Sequence, residues 1–276
     1  MLHRGFNNLA WLETLTPKSS IITDGLNGKF DPDDTDSYGG TGTTFTNLIT
    51  GGSDGGDLYI GNGLQLVTAD TSYFLFDGLD DFVGNLAATG YSDAVEYNVD
   101  LTTNNLTVSF WWWASAISAG EFNRIFSIGD VAYSGTGHHG LSMSMDDASD
   151  KLSFQTFNDA YGFSVTRTTT DDIGRAMWNH ITVVKEGSTS TLRIYVNGKY
   201  QHMSTANEGA AYTDTESFGG PAQPIQFGRT KFAGPAGWTY TAGACRIGMI
   251  LLYNTKALKK SEIMSNYLAT KADYGH

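Results

Sequence analysis

The run Thr191, Leu192, Arg193, Ile194, Tyr195 and Val196 alternates polar and apolar side chains and is followed at once by Asn197 and Gly198. Side chains on a strand alternate between its faces, so Leu192, Ile194 and Val196 fall on one side and face a core. Asn-Gly accepts positive φ at both central positions of a two-residue turn, which sends the chain back antiparallel in a defined register. This segment therefore commits the chain to a hairpin with one buried face, and the rest of the molecule has to cover that face.

Runs of the same kind recur between turn residues: Leu64 to Val67, Tyr73 to Phe76, Leu106 to Trp113, Arg124 to Ile128, Gly140 to Met145, Lys151 to Phe157, Asn179 to Lys185 and Ile225 to Phe227. So many short strands with almost no helical period predict an all-β, two-sheet antiparallel sandwich. The 33 glycines against 5 prolines suit many tight turns, and 40% hydrophobic residues supply a sizeable core. At 276 residues the chain fits one such domain with extensions. One helix is expected near Lys260 or Ser261, with Ser261 as cap, Glu262 at the positive helix end and Ile263, Met264 and Tyr267 as the apolar stripe. It should pack beside the last strand, Arg246 to Tyr253. From Ile21 to Gly63 the text reads as loops joining short strands. Residues 1–20 form an arm in which Phe6, Leu9, Trp11 and Leu12 dock on a partner or on the chain's own domain, and residues 21–276 form the sandwich.

The net charge of −12 repels phosphate backbones and anionic membranes, and no basic patch offsets it, so neither nucleic acid nor membrane is an expected partner. Cys245 is alone, which excludes an intrachain disulfide and a thiolate zinc set, and its neighbours make it a small core residue. No apolar signal core or membrane-spanning run is present.

Trp178, Asn179, His180, Ile181, Thr182, Val183 and Val184, followed by Leu192, Ile194, Tyr195, Val196, Asn197, Gly198 and Lys199, resemble the central hairpin of laminin G-like and pentraxin-like sandwiches. Phe74, Phe76, Asp77, Gly78, Asp80, Asp81, Phe82 and Val83 are similar to an early strand and turn of that superfamily. Phe227, Gly228 and Arg229, with Ile247, Gly248, Leu251, Tyr253, Asn254, Ala257, Leu258, Ser261, Glu262, Ile263 and Tyr267, are similar to its closing strand and helix. The resemblance implies a concanavalin A-like jelly roll, a fold that hosts many activities. A narrower likeness runs through Asp24, Gly25, the Asp33 to Tyr38 run, Thr43, Thr44, Phe45 and Leu48, and through Tyr267, Ala269, Thr270, Lys271 and Tyr274. These look like such domains in tailed-phage structural proteins and imply a virion component.

Glycosidases of this fold place two carboxylates on one strand face about 5 Å apart, and no Glu-x-Asp-x-Glu run is present. Asp146, Asp147 and Asp150 flank a turn, and no nucleophile elbow or Cys-His pair can be placed. No catalytic residue is therefore assigned and the chain is read as non-enzymatic. Calcium takes hard oxygens from loop carboxylates, with Asp77, Asp80 and Asp81 as the first candidates and Asp31, Asp33, Asp34 and Asp36 as a second set. The alternative is that these acids shape turns. Trp111 and Trp113 are expected on one buried face of their strand, with Trp112 on the other. Trp238 and Tyr240 in a Gly-rich loop, and Tyr133, His138 and His139 in another, are candidates for contact with glycan or partner. The adjacent histidines point apart on extended backbone, which disfavours joint metal ligation.

The expected function is a non-enzymatic virion structural or decoration protein at the particle surface, contacting capsid or tail subunits. A glycan-binding adhesin on a tail fibre or cell surface, recognising host glycan, is the alternative, and a polysaccharide hydrolase comes last.

Overall fold

A computed structural model describes residues 19–49, 56–84, 98–99, 105–114, 123–129, 140–145, 150–158, 162–187, 191–203, 223–231, 238–240 and 244–276. The early strands are β1 (Gly28–Phe30), β2 (Thr44–Phe45), β3 (Leu58–Gly61), β4 (Gln65–Val67), β5 (Tyr73–Phe76), β6 (Phe82–Gly84) and β7 (Asn98–Val99). Longer ones follow: β8 (Leu106–Ala114), β9 (Asn123–Gly129), β10 (Gly140–Met145), β11 (Leu152–Asn158), β12 (Gly162–Thr168), β13 (Asn179–Glu186) and β14 (Thr191–Val196). The last are β15 (Lys199–Gln201), β16 (Gln223–Phe227), β17 (Arg229–Lys231), β18 (Trp238–Tyr240) and β19 (Cys245–Tyr253), before helix α1 (Lys260–Thr270) and a 3-10 turn, Lys271–Tyr274.

Among the described residues these strands form two large antiparallel sheets. The first runs β15-β14-β13-β8-β19-β5-β4 with β1 also on β19, and the second runs β12-β11-β10-β9-β16-β6-β3-β2 with β7 on β16; β17 and β18 pair separately. This is the all-β sandwich that the alternation predicts. Asn197 and Gly198 make the β14–β15 turn at φ 51° and 73°, the left-handed pair that a two-residue hairpin requires.

The core lies between the sheets. Leu192, Ile194 and Val196 face it as their alternation demands, beside Val108, Phe110, Ile181, Val183, Ile247 and Ile250 of the first sheet. Phe126, Ile128, Leu141, Met143, Phe154, Ile225 and Phe227 face them from the second. Phe110 meets Phe126 at 5.6 Å and Phe227 at 5.4 Å, ring edge to ring face, which adds specific geometry to the burial of apolar area.

The first sheet is also covered on its outer face, by the chain's own C-terminal segment. Trp111, Val184, Tyr195, Met249, Leu251 and Tyr253 project there and pack under Leu26, Leu258, Ile263 and Tyr274. The register of β19 shifts between Ile247 and Ile250, leaving a bulge. A bulge removes one backbone donor from the ladder. That donor, the Met249 N–H, is taken by the Tyr274 hydroxyl oxygen at 2.7 Å. Tyr274 then stacks on Trp111 at 4.3 Å and 13°. The Trp111 indole N–H donates to Thr270 Oγ1 at 2.9 Å, Asn266 donates to the Tyr253 hydroxyl at 2.9 Å, and that hydroxyl donates to the Ile22 carbonyl at 2.8 Å.

Two expectations are corrected. Trp112, with 3% exposure, is the tryptophan in the inter-sheet core; Trp111, with 1%, lies on the opposite face. Trp113 shares that opposite face in part, beneath the Arg246 guanidinium at 3.7 Å. The pairing of β8 continues the inward series Val108, Phe110, Trp112, while the C-terminal segment buries the face that alternation assigns to solvent. Ser261 does not cap the helix. Lys259 is the N-cap residue, and the Glu262 carboxylate reaches back to accept its N–H at 2.7 Å. Glu262 also accepts from Lys256 Nζ at 2.7 Å.

Candidate functional site

The turn between β5 and β6 brings three carboxylates together. Asp77 Oδ1 accepts the Leu79 N–H at 2.8 Å, and Asp81 Oδ2 accepts the Asp77 N–H at 2.8 Å, so the loop closes on itself. Gly78 takes φ 84° at its apex, where an L side chain would be strained. Asn62 donates to the Asp80 carbonyl at 2.8 Å and ties the β3–β4 turn to the same loop. One oxygen from each of Asp77, Asp80 and Asp81 lies within 4.8 Å of the others. Asp77 and Asp80 are open to water, Asp81 is buried, and Leu79 stands out at the tip.

Burial is the first cause pushing the Asp81 carboxyl up to about 6; the neighbouring charges of Asp77 and Asp80 add to it, and the Asp77 N–H works against it. A cluster of this kind offers hard oxygen donors, and the donor chemistry fits a calcium ion completed by loop carbonyls or water. The second acidic set is not assembled in this way. Asp31 Oδ1 accepts the Asp33 N–H at 3.2 Å, Asp34 Oδ1 accepts the Asp36 N–H at 3.0 Å, and Asp33 Oδ1 accepts from Ser72 Oγ at 2.6 Å. The Asp31 and Asp34 carboxylates shape turns, and Asp33 ties its turn to Ser72. Asp150 pairs with Arg175.

Trp238 and Tyr240 lie on β18, whose backbone pairs with β17 in the register Arg229↔Tyr240 and Lys231↔Trp238. The pair belongs to a short hairpin where the sequence suggests a loop, and their side chains lie outside the described residues. Tyr133, His138 and His139 also lie outside the described residues, as do Phe6, Leu9, Trp11 and Leu12 of the N-terminal arm.

Under α1, His180 Nε2 and Ser109 Oγ share a hydrogen bond of 2.9 Å, and Ser109 Oγ and Thr182 Oγ1 share one of 2.8 Å. A Ser-His pair is the core of many nucleophilic sites, but the base needs a third group to orient it and access to substrate. Here His180 Nδ1 has no hydrogen-bond partner, and burial depresses the imidazole to about 3. All three residues are buried. The pair is a structural tie within the sheet. Burial likewise pushes the Cys245 thiol up to about 12, as suits the core position expected for it.

Among the described residues, the only carboxylate within a strand is Glu186, at the end of β13, and it is ion-paired with Arg193 at 2.6 Å. On and just after β15, Tyr200 and His202 form an exposed aromatic corner that the sequence candidates do not include. The available signal is its position straight after the Asn197–Gly198 turn, where a return strand has to begin.

The comparisons with known proteins agree with this architecture. The fold is similar to a Trypanosoma rangeli sialidase, with a TM-score of 0.61 and 16% identity, over 95% of this chain and 36% of that one. It is similar to the botulinum neurotoxin serotype D binding domain, with a TM-score of 0.56 and 12% identity, over 89% of this chain and 52% of that one. The serotype G binding domain gives 0.53 and 13%, over 88% and 50%. This chain thus spans about a third of the sialidase and about half of each toxin domain. At these identities the likeness shows the fold alone. No curated protein sequence matches. Residues 87–264, more than half of the chain, match the family described as Concanavalin A-like lectin/glucanases superfamily, and it is to this family that the chain belongs.

Proposed function

We propose that the chain is a non-catalytic structural module of a tailed-phage virion, held at the particle surface by contacts with capsid or tail subunits. The observation that carries the non-catalytic part is the placement of carboxylates. Hydrolysis of a glycosidic bond needs two of them facing one sugar. Among the described residues, Glu186 is the sole carboxylate within a named strand and is already paired; Asp57, a bridge residue just before β3, accepts the Asn47 N–H at 2.9 Å, and the other acids lie in turns, loops or helical segments. Much of the outer face of the first sheet is covered by α1 and the Tyr274 stack. The family includes lectins that are not enzymes. The virion placement is supported by the likeness of the Asp24 to Leu48 and Tyr267 to Tyr274 segments to phage structural domains.

The test is made on purified virions of the source. Mass spectrometry should find the chain at a fixed ratio to the major shell or tail subunit, and electron microscopy with a labelled chain should place it on the particle. Absence from washed particles rejects the reading. A second reading, a glycan-binding adhesin, is favoured by the aromatic corner at Tyr200.

A further inference from the structure

The sequence holds three Asn-Gly dipeptides, at Asn27–Gly28, Asn62–Gly63 and Asn197–Gly198, and the fold treats them differently. In such a pair the side-chain amide lies open to attack by the next backbone nitrogen, because glycine brings no Cβ and bends freely. At Asn27 the amide oxygen accepts the Asn254 N–H at 2.8 Å, and Gly28 lies in β1 opposite Leu252. At Asn197 the amide oxygen accepts the His180 N–H at 2.8 Å, and the amide nitrogen donates to Asn179 at 3.3 Å. A Cβ on Gly198 would lie 2.9 Å from Met264. Both of these amides are held through their oxygen, and both glycines are buried. Asn62 and Gly63 are exposed, at φ 60° and 90°, in the turn between β3 and β4. Those two strands belong to different sheets, so no ladder joins the arms of the turn. Its backbone bond, from the Leu64 N–H to the Gly61 carbonyl, is long at 3.4 Å, and a Cβ on Gly63 would meet nothing within 4 Å. The Asn62 amide makes its contact through nitrogen, donating to the Asp80 carbonyl at 2.8 Å.

We propose that Asn62 is a site of spontaneous covalent modification, deamidating through a cyclic imide formed with Gly63 and thereby untying the β3–β4 turn from the acidic loop. The Gly63 nitrogen gives its proton to solvent and bonds to Asn62 Cγ. The Cγ–Nδ2 bond breaks, and the nitrogen leaves as ammonia, taking a proton back from solvent. Water then adds to either imide carbonyl and opens the ring, leaving aspartate or isoaspartate. The net reaction consumes water, releases ammonia and changes no oxidation state. For the attack, the Asn62–Gly63 peptide has to swing toward the side chain. The open space at Gly63 makes that swing a local event, whereas at Asn27 and Asn197 it requires strand pairing or helix packing to open first. The product alters the neighbouring loop. A carboxylate cannot donate to the Asp80 carbonyl, so the tie is lost. It also adds negative charge next to a loop that already holds Asp77, Asp80 and Asp81. Because the conversion runs one way, the loop loosens as the protein ages.

The full chain is incubated in mildly alkaline buffer, folded and in concentrated urea, and samples are mapped by peptide mass spectrometry with isoaspartate-specific methyl labelling. All three Asn-Gly sites are followed in one experiment. In the folded chain Asn62 should convert at least about tenfold faster than Asn27 or Asn197, while in urea the three rates should converge to within about threefold. Equal rates in the folded chain, or a faster Asn27 or Asn197, overturn the site. Isoaspartate confined to Asp77–Gly78, which arises without loss of ammonia, overturns it as well. Asn62→Asp stands in for the product, and hydrogen exchange reads its effect on the loop. The Asp77 amide, held by Asp81 at 2.8 Å, should exchange at least about threefold faster in Asn62→Asp than in wild type. An unchanged Asp77 exchange rate overturns the untying of the loop.

Discussion

Asp81→Asn should stabilise the protein at neutral pH, although it removes a hydrogen-bonded, buried side chain. In the fold Asp81 is lifted from 3.8 to about 6, first by burial and then by the charges of Asp77 and Asp80. A shift of that size corresponds to about 3 kcal/mol if nothing screens it. Asp77 and Asp80 are open to water, so about 1–2 kcal/mol is the realistic magnitude. The sign follows from linkage. An acid that binds its proton more tightly in the native state favours that state as pH falls from about 6 towards 4, and opposes it above 6. Asn cannot ionise, yet its carbonyl oxygen can still accept the Asp77 N–H. The variant should therefore exceed the wild type by about 1–2 kcal/mol at pH 7.5, with the difference shrinking towards zero near pH 4. Urea unfolding followed by tryptophan fluorescence at the two pH values measures it. A variant less stable than wild type at pH 7.5, or a difference independent of pH, would refute the account of the loop as three uncompensated carboxylates. Millimolar calcium should then reverse the ranking, because a cation among the three acids stabilises only the chain that keeps all of them. Equal thermal shifts in both proteins would remove the cluster as a calcium site.

Three further outcomes follow from the covered sheet face and its turns. His180 is depressed to about 3 by burial, so it stays neutral in the fold while titrating near 6.5 when unfolded; stability should fall by up to about 1.4 kcal/mol per pH unit on acidification below that value. Acid unfolding curves of His180→Gln should lose this slope, and a curve parallel to wild type would show that another group sets it. Tyr274→Phe leaves the buried Met249 N–H without its 2.7 Å acceptor and should cost about 1–3 kcal/mol in urea unfolding; a change below about 0.5 kcal/mol would mean that the bulge finds another partner. Gly228 sits at φ 78°, and a Cβ there would lie 2.5 Å from the Phe76 ring, so Gly228→Ala should destabilise by more than about 2 kcal/mol, and a thermal melt matching wild type would contradict the packing.

What was legible in the sequence was what depends on neighbours along the chain. The β5, β10 and β14 boundaries coincide with their alternating runs, and the inward set Leu192, Ile194 and Val196 follows from period two alone. The Asp77, Asp80 and Asp81 cluster was legible because five consecutive residues close one loop. Asp31 to Asp36 has a similar composition, but its carboxylates do not converge: Asp31 and Asp34 each accept an N–H two residues on, while Asp33 accepts from Ser72, a difference of backbone conformation that composition does not carry. Trp111 was misplaced for a different reason. Its covering partner Tyr274 is far away in sequence, and no local period announces that a strand's second face will be buried as well.

The same distinction bears on where recognition can occur. A sandwich with one polar outer face leaves that face free for ligand, but here α1, the 3-10 turn and residues 21 to 26 occupy much of the outer side of the first sheet and tie down Trp111, Tyr253 and Met249. The hydrogen bonds that do this come from Thr270, Tyr274 and Asn266, so the seal is specific and not merely apolar. Opening that face would expose Trp111 and leave buried donors unpaired, a cost that weak binding of a small ligand cannot offset. Among the described residues, exposed groups outside this seal include the loop tip around Leu79 and Tyr200 on β15. The first is a flexible-chemistry site, acidic and suited to a cation or a basic surface; the second is a rigid aromatic platform. A ligand that competes at one and not at the other would assign the recognition surface without any knowledge of the natural partner.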